Sequence, residues 1–267
     1  MPAFAIAAKP PADAALEHVN VSLVAESSAL VPGTAAWVGL RLRHEAHWHT
    51  YWVNPGDAGL PTKLAWQLPP GYRAGEIAWP APKRFDVGGL YNFGYDGEVL
   101  LPVRIDVPAD AKPGSRAKFA VEAKWLVCHE ECVPGKTALA ITLPVAAHAT
   151  KNPRFASLFA TSFALAPQPA TWTGVATLAG DRVIVELDGA GLPATAALQV
   201  FPVQPRVVGY APPRTEARDD ALVLIFAKSD YYTSPPQTFD LVLRPDDLHA
   251  FGVAVPFHAD PSAASNR

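Results

Sequence analysis

The sequence FAVEAKWLVCHEECVPG, residues 119–135, reads as a strand, a short turn and the start of a second strand. Phe119, Val121 and Trp125 alternate with Ala, Glu and Lys, which is the pattern of an antiparallel strand with one buried face. A second β-forming run follows at residues 137–143. Together the two runs predict a β-hairpin.

The two cysteines of the chain, Cys128 and Cys132, lie in the middle of this sequence. In a continuous strand, residues four apart are separated by about 13 Å, whereas a disulfide needs Cα atoms within about 7 Å. If the cysteines are bonded, the chain must therefore reverse across residues 129–131, and the pair lies where the two strands of the hairpin meet this turn. One turn of helix would also bring them together, but β-branched neighbours and Pro134-Gly135 argue against it.

Similar strand-like runs extend in both directions, and the 28 Pro and 18 Gly punctuate them as turns. The runs are residues 19–24, 35–43, 63–67 and 99–107 in the first half, and 173–178, 182–187, 197–201, 221–227 and 238–243 in the second. This pattern predicts an all-β fold with two β-sandwich domains joined by a short helical linker.

The predicted domain boundaries follow changes in composition. Asn152 and Pro153 form a helix-start signal, and Phe155, Leu158 and Phe159 share one helical face. We expect a signal remnant or disordered start, two β-domains separated by a linker that contains this helix, and a disordered tail. Their ranges are 1–15, 16–148 (first β-domain), 149–170 (linker), 171–260 (second β-domain) and 261–267.

Composition excludes several classes of protein. Hydrophobic residues make up 49% of the chain and charged residues 18%, so a large core is available. The net charge of −3 gives no reason to expect nucleic acid as a partner. No apolar run reaches the roughly 18–20 residues of a membrane span, and the hydrolase motifs Gly-x-Ser-x-Gly and His-Glu-x-x-His are absent.

The cysteine pair could serve as a structural staple, as a redox-active pair or as metal ligands. As a staple it would close a five-residue loop worth roughly 2 kcal/mol, which is modest beside the core. A short loop disulfide is also more easily reduced than a typical structural one, which favours redox exchange. His129 would favour a thiolate if protonated, whereas Glu130 and Glu131 would disfavour it, so we expect a thiol that depends on its partner for activation.

Metal binding is the main alternative. A Cys-x3-Cys pair with a distant His resembles the copper site of Sco-type assembly proteins, although that family uses a thioredoxin-like fold. The available histidines are His44, His47, His49 and His148. A structural zinc site would need two of them at a defined spacing. A further hypothesis for the function of the chain is a non-redox adhesion or scaffold module.

Three segments carry a family resemblance: WHTYWVNPGD at residues 48–57, FGYDGEVLLPV at 93–103, and WLVCHEECVPG at 125–135. In this order, over residues 17–145, they resemble the periplasmic N-terminal domain of the DsbD/ScsB family of membrane thiol–disulfide reductases, and the ScsB branch in particular. The resemblance implies an immunoglobulin-like fold and a soluble periplasmic domain, without a cofactor of its own, cut from an inner-membrane protein.

The resemblance also implies a role for each cysteine. The pair would accept electrons from the thioredoxin-like C-terminal domain of the same membrane protein. It would pass them to a periplasmic thioredoxin-fold disulfide protein, ScsC-like or isomerase-like. By motif order, Cys132 would form the mixed disulfide with a partner and Cys128 would resolve it.

An aromatic cap and a docking surface complete the prediction. The family shields the pair with a cap loop, and the matching residues 84–91 make Phe85 or Tyr91 the candidate cap, with Gly88 and Gly89 as its hinge. Aromatic and imidazole side chains near the pair are the candidate docking residues. They are Trp48, Tyr51, Trp52, Tyr95, Trp125 and His129.

Overall fold

The computed structural model describes residues 13–218 and 220–259, and these fall into two compact units. Within the described residues, unit 1 comprises 13–50, 61–79 and 95–162, and unit 2 comprises 51–60, 80–94, 163–218 and 220–259. The predicted signal remnant before residue 13 and the predicted tail from residue 261 lie outside the described residues.

The described residues form nineteen strands and one helix, so the predicted all-β class is confirmed. The elements are β1 Asp13–Leu16, β2 Val19–Ala25, β3 Ala35–His44, β4 His49–Gly56, β5 Lys63–Gln67, β6 Arg73–Ile77, β7 Lys83–Val87, β8 Leu90–Asp96, β9 Glu98–Asp106, β10 Arg116–Cys128, β11 Cys132–Pro144, α1 Ala156–Ala164, β12 Gln168–Pro169, β13 Thr173–Ala179, β14 Arg182–Asp188, β15 Gln199–Pro202, β16 Arg214–Arg218, β17 Ala221–Ala227, β18 Thr238–Arg244 and β19 Phe251–Ala259.

Unit 1 is built from two sheets with alternating buried positions. One sheet has the strand order β1-β2-β3-β9-β6. In the other, β10 lies between β11 and the start of β4, and β5 is also paired to β10. Along β10 every second side chain from Ala117 to Val127 is buried, as expected for a sandwich strand with one face on the core. Residues 13–15, expected to be disordered, form most of β1 and pair with β2.

The β10–β11 hairpin confirms the turn predicted from the cysteine spacing. Its antiparallel register runs without a break from Arg116 opposite Pro144 to Cys128 opposite Cys132. Both strands are longer than the alternation indicated, because β11 begins at Cys132 and continues through Pro134. The cysteines therefore terminate a long two-stranded ladder.

Unit 2 contains a sheet of order β15-β18-β19-β13-β14-β17-β16, with β12 paired to β19. Its core is apolar and centres on Phe226, Phe239 and Phe257, whose rings meet edge to face at 6.0 and 6.1 Å. The strands predicted for the second half are all present here, each within two residues of its predicted start.

Two segments of the predicted first domain belong to unit 2, namely residues 51–60 and 80–94. They carry part of β4, all of β7 and most of β8, and they include residues 84–91, which were expected to form a cap loop. Phe93 is fully buried and meets Phe201 and Tyr210 edge to face at 5.2 and 5.5 Å. Phe93 therefore belongs to the core of unit 2, where aromatic side chains suit strands.

Helix α1 follows the predicted start signal. The Asn152 side-chain carbonyl accepts a hydrogen bond from the Arg154 amide at 3.1 Å, as an N-cap residue does. Phe159 is buried, and the Ser162 hydroxyl donates to the Leu100 carbonyl at 3.0 Å. Among the described residues, no helix is long and apolar enough to cross a membrane.

Phe119→Ala is expected to lower the free energy of unfolding by about 3–5 kcal/mol, because it empties a fully buried site that meets the Tyr72 ring at 5.4 Å. Urea unfolding measures the change. Lys118→Ala is the control, since Lys118 is the exposed neighbour on the same strand. Equal effects of the two substitutions would contradict the assigned inward face of β10.

Candidate active site

The site lies at the closed end of the β10–β11 hairpin in unit 1. Cys128 and Cys132 are disulfide-bonded, with their Cα atoms 4.2 Å apart. The intervening turn is tight, because the His129 amide donates to the Glu131 carbonyl at 3.0 Å. Both glutamates of the turn, Glu130 and Glu131, are exposed to solvent.

The two sulfur-bearing residues differ sharply in accessibility. Cys128 is 2% exposed, whereas Cys132 is exposed to solvent. The cause is the strand order: β10 lies between β11 and β4, whereas β11 is the outer strand of its sheet. An incoming thiol can therefore reach Cys132 far more easily than Cys128.

Strand β4 places His49 beside Cys128. The two residues are direct partners in the antiparallel pairing of β10 with β4, so their side chains share a face. His49 is 3% exposed. Burial, then the nearby His44 and His129, lower the pKa of His49 to about 4, with Asp96 acting in the opposite direction. The imidazole next to Cys128 is therefore neutral at ordinary pH.

His44 supports this arrangement from β3. Its Nδ1 donates to the Gly97 carbonyl at 2.9 Å, and its Nε2 accepts from the Thr50 hydroxyl at 3.0 Å. Burial lowers the pKa of His44, partly offset by the Gly97 hydrogen bond and by Asp96. Both ring nitrogens of His44 are thus committed to fixed partners in the neutral state.

A more exposed aromatic layer covers the outside of the turn. The rings of His18 and Trp48 stack at 3.6 Å with an interplanar angle of 4°, and His18 also pairs with Glu45 at 2.8 Å. Trp48 reaches the His129 ring at 5.9 Å, and His47 reaches it at 5.7 Å. The layer therefore connects the cysteine turn to the β3–β4 connection.

Backbone strain occurs in the same place. His18 and His47 adopt φ values of 61° and 73°, in the left-handed region that non-glycine residues rarely occupy. Such residues are concentrated at functional sites. Sequence reasoning considered His47 only as a metal ligand and did not single out His18, because neither stack nor strain leaves a local sequence signal.

The Trp125 side chain packs across the hairpin against β11. Gly135 is its direct partner in β11, and a Cβ atom at Gly135 would overlap the indole ring. Trp125 is 4% exposed, with its indole N–H buried and without a hydrogen-bond partner among the described residues. The ring therefore packs flat against glycine three residues from the disulfide.

Burial corrects part of the predicted docking surface. Tyr51, Trp52, Tyr95 and Trp125 are at most 5% exposed, so they are core residues and cannot present a contact surface in this conformation. Trp52, for example, meets the Phe201 ring at 6.3 Å inside unit 2. The remaining docking candidates are half-buried Trp48 and exposed His129.

The candidate cap residues lie on the β7–β8 hairpin of unit 2, with Phe85 in β7 and Tyr91 in β8. Val87 pairs with Leu90 across the turn formed by Gly88 and Gly89. Both glycines have positive φ, 63° and 87°, as a two-residue hairpin turn requires. The cap role of Phe85 or Tyr91 stays a prediction.

The copper alternative gains no support from side-chain placement. Among residues 13–218 and 220–259, no group of three or more His, Cys, Asp or Glu side chains is arranged to hold a metal ion. His148 lies outside the histidine layer around the turn and is exposed.

The comparisons with known proteins fit this geometry. Residues 20–144 match the family described as thiol:disulfide interchange protein DsbD, N-terminal. The crystal structure of the N-terminal periplasmic domain of ScsB from Proteus mirabilis is similar over 90% of this chain and 93% of that one, at 17% identity and a TM-score of 0.67. No curated protein matches the chain.

Weaker likenesses extend to tandem immunoglobulin modules. The N-terminal Ig1-2 module of the Drosophila receptor protein tyrosine phosphatase DLAR overlaps 90% of this chain and 98% of its own, at 13% identity and a TM-score of 0.22. That overlap is too weak to define a relationship. The ScsB match defines the fold, and residues 20–144 match the thiol:disulfide interchange family.

The pKa of His49 predicts a pH dependence of stability. Between pH 6.5 and about 4 the unfolded chain binds a proton at His49 that the folded chain does not, so the free energy of unfolding falls as the pH falls through this range. Denaturant unfolding at several pH values measures the slope. His49→Gln is expected to flatten it, and an unchanged slope would contradict the buried neutral imidazole.

Gly135→Ala is expected to destabilise unit 1 by about 1–3 kcal/mol, because the added methyl group displaces the Trp125 ring. In a Trp125→Phe background, where part of the indole is absent, the same substitution should cost less. A double-mutant cycle measures this coupling. Gly75→Ala is the matched strand control, since its nearest contact, the Arg104 carbonyl oxygen at 3.6 Å, is an ordinary one.

Proposed function

We propose, on the premise that residues 20–144 belong to the DsbD N-terminal family, that this chain relays electrons through the Cys128–Cys132 pair in the periplasm. The source would be a thioredoxin-like domain of the same membrane protein, and the acceptor a periplasmic thioredoxin-fold disulfide protein. The observation that carries the proposal is the disulfide at the end of the hairpin, with one cysteine exposed and the other buried.

The asymmetry of exposure supports distinct roles for the two cysteines. In the reduced chain, the Cys132 thiolate attacks the partner's disulfide. A bond forms between Cys132 Sγ and one partner sulfur, and the other partner sulfur leaves as a thiolate. Cys128 then attacks Cys132 Sγ, so the Cys128–Cys132 disulfide forms and the second partner thiolate is released. Two electrons pass to the partner, which takes up two protons.

Reduction of the Cys128–Cys132 disulfide by the electron donor follows the same exchange steps in reverse. A thiolate of the electron donor attacks exposed Cys132, Cys128 leaves, and the donor's second thiol resolves the mixed disulfide. Cys132 meets both partners, so one surface serves two successive encounters. The half-buried Trp48 and the exposed His129 lie beside it and are the docking residues we propose. Aromatic and amphipathic side chains of this kind are enriched at binding hot spots.

Phe85 or Tyr91 is proposed as the cap that shields the pair between encounters. An apolar lid would exclude stray thiols until a partner displaces it. The β7–β8 hairpin that carries both residues turns at Gly88 and Gly89, which supports a movable tip because no neighbouring atom lies within 4 Å of a Cβ built at either glycine.

Cys128→Ser, mixed after reduction with an oxidised thioredoxin-fold disulfide protein, should accumulate a mixed disulfide through Cys132, because the resolving sulfur is missing. Non-reducing electrophoresis and peptide mass spectrometry measure it. Cys132→Ser is the matched variant and should accumulate little, since its remaining thiol is buried. The relay proposal is wrong if both single variants reduce the partner at the parent's rate.

A further inference from the structure

The pairing of Cys128 with His49 gives the buried cysteine a titratable neighbour. Residues directly opposite in an antiparallel pair have Cβ atoms roughly 4.5–5.5 Å apart, and these two are such partners. Cys128 is 2% exposed and His49 is 3% exposed. The imidazole and the sulfur therefore lie next to each other on one face of the sheet, and both are largely shielded from bulk water.

The resolving step creates a problem at this position. Cys128 must lose its proton to attack the mixed disulfide, and a thiolate at so buried a sulfur is poorly solvated. A proton acceptor beside the sulfur removes the problem, because proton and charge then stay within one hydrogen-bonded pair. Solvent cannot fill this role readily at a residue that is 2% exposed.

The other titratable groups near His49 are less well suited. His44, from β3, uses Nδ1 toward Gly97 and Nε2 toward Thr50. His129 lies in the exposed turn between the cysteines. Asp96, at the end of β8, acts on His49 through its charge. Of these groups, His49 is the one in direct register with Cys128.

We propose that His49 takes the proton from the Cys128 thiol as Cys128 attacks the mixed disulfide, and returns a proton to Cys128 when the pair is reduced again. The inference deepens the relay function and rests on it. In the forward step the Cys128 S–H bond breaks, a Cys128–Cys132 bond forms, and the imidazolium passes its proton to solvent or to the departing partner thiolate. No oxidant beyond the partner disulfide is needed.

The electrostatics of the pocket suit a transient acceptor. With the disulfide formed, the pKa of His49 is about 4 and the imidazole is neutral, so it is ready to accept. A Cys128 thiolate alongside would favour the imidazolium, because opposite charges attract strongly where water is excluded. Once the disulfide forms again, this attraction disappears and the proton is released. In the reduced chain the proton is therefore shared between Cys128 and His49, whereas in the oxidised chain His49 is neutral.

The aromatic disulfide 5,5′-dithiobis(2-nitrobenzoate) tests the step with the full chain. Reduced parent protein should release two nitrothiolate equivalents, the first by Cys132 attack and the second by Cys128 resolution. His49→Gln should keep the first phase and slow the second by about 100-fold near pH 7, a typical contribution of a positioned acid or base. Stopped-flow absorbance separates the two phases.

His148→Gln is the matched control, because it removes an exposed histidine by the same substitution and should leave both phases unchanged. A second phase of parental rate in His49→Gln would overturn the proposal. If Cys132→Ser released its single equivalent as fast as Cys128→Ser does, Cys132 would not be the accessible attacking thiol and the relay function itself would fail. A fast single equivalent from Cys128→Ser and a slow one from Cys132→Ser, together with an unaffected His49→Gln, would refute only the role of His49.

A measurement on the unsubstituted chain covers the case in which His49→Gln fails to fold. Nitrogen-15 NMR of the His49 imidazole is expected to show a higher protonation midpoint in the reduced chain than in the oxidised chain. In reduced Cys128→Ser, which has no thiolate at this position, the midpoint should stay near the oxidised value. Equal midpoints in the reduced and oxidised parent would overturn the proposal.

Discussion

The register of the β10–β11 hairpin is the constraint on which the site depends. It sets Cys128 directly opposite Cys132, and the strand order then determines what each residue meets on its other side. On the side away from β11, Cys128 is paired with His49 of β4, whereas Cys132 lies on the outer strand of the sheet. A slip of one residue in either strand would turn the cysteine of that strand to the opposite face. Exposure, accessibility to partners and the imidazole neighbour therefore all follow from one ladder of backbone hydrogen bonds.

The hairpin was predictable because its information is local. Alternation over residues 119–127, the cysteine spacing and Pro134-Gly135 all lie within one short sequence. Strand β4 was missed for the opposite reason. Its residues from His49 to Trp52 are all buried, so inside and outside do not alternate and the period of two disappears. The partnership of His49 with Cys128 joins distant parts of the chain, and no spacing rule indicates it.

Part of the predicted docking surface is buried for a related physical reason. Tyr51, Trp52 and Tyr95 lie in the segments that carry the family resemblance and were predicted to contact partners, yet they are buried. Polar side chains make this burial possible. The Asn54 amide donates to the Pro202 carbonyl at 2.8 Å, and the Arg84 guanidinium donates to the Val200 carbonyl at 2.6 Å. These bonds hold residues 51–60 and 80–94 within unit 2, and they are visible only once the chain is folded.

The length of the hairpin affects how long a mixed disulfide on Cys132 survives. Thirteen residue pairs hold β10 against β11, and the cysteines are the last of them. Opening the disulfide therefore leaves the ladder in place, so the two sulfurs remain neighbours at a very high effective concentration. A mixed disulfide on Cys132 is always close to its intramolecular competitor, and external thiols have little time to intervene. The backbone thereby limits the lifetime of the intermediate and directs the sulfur chemistry toward exchange with one partner at a time.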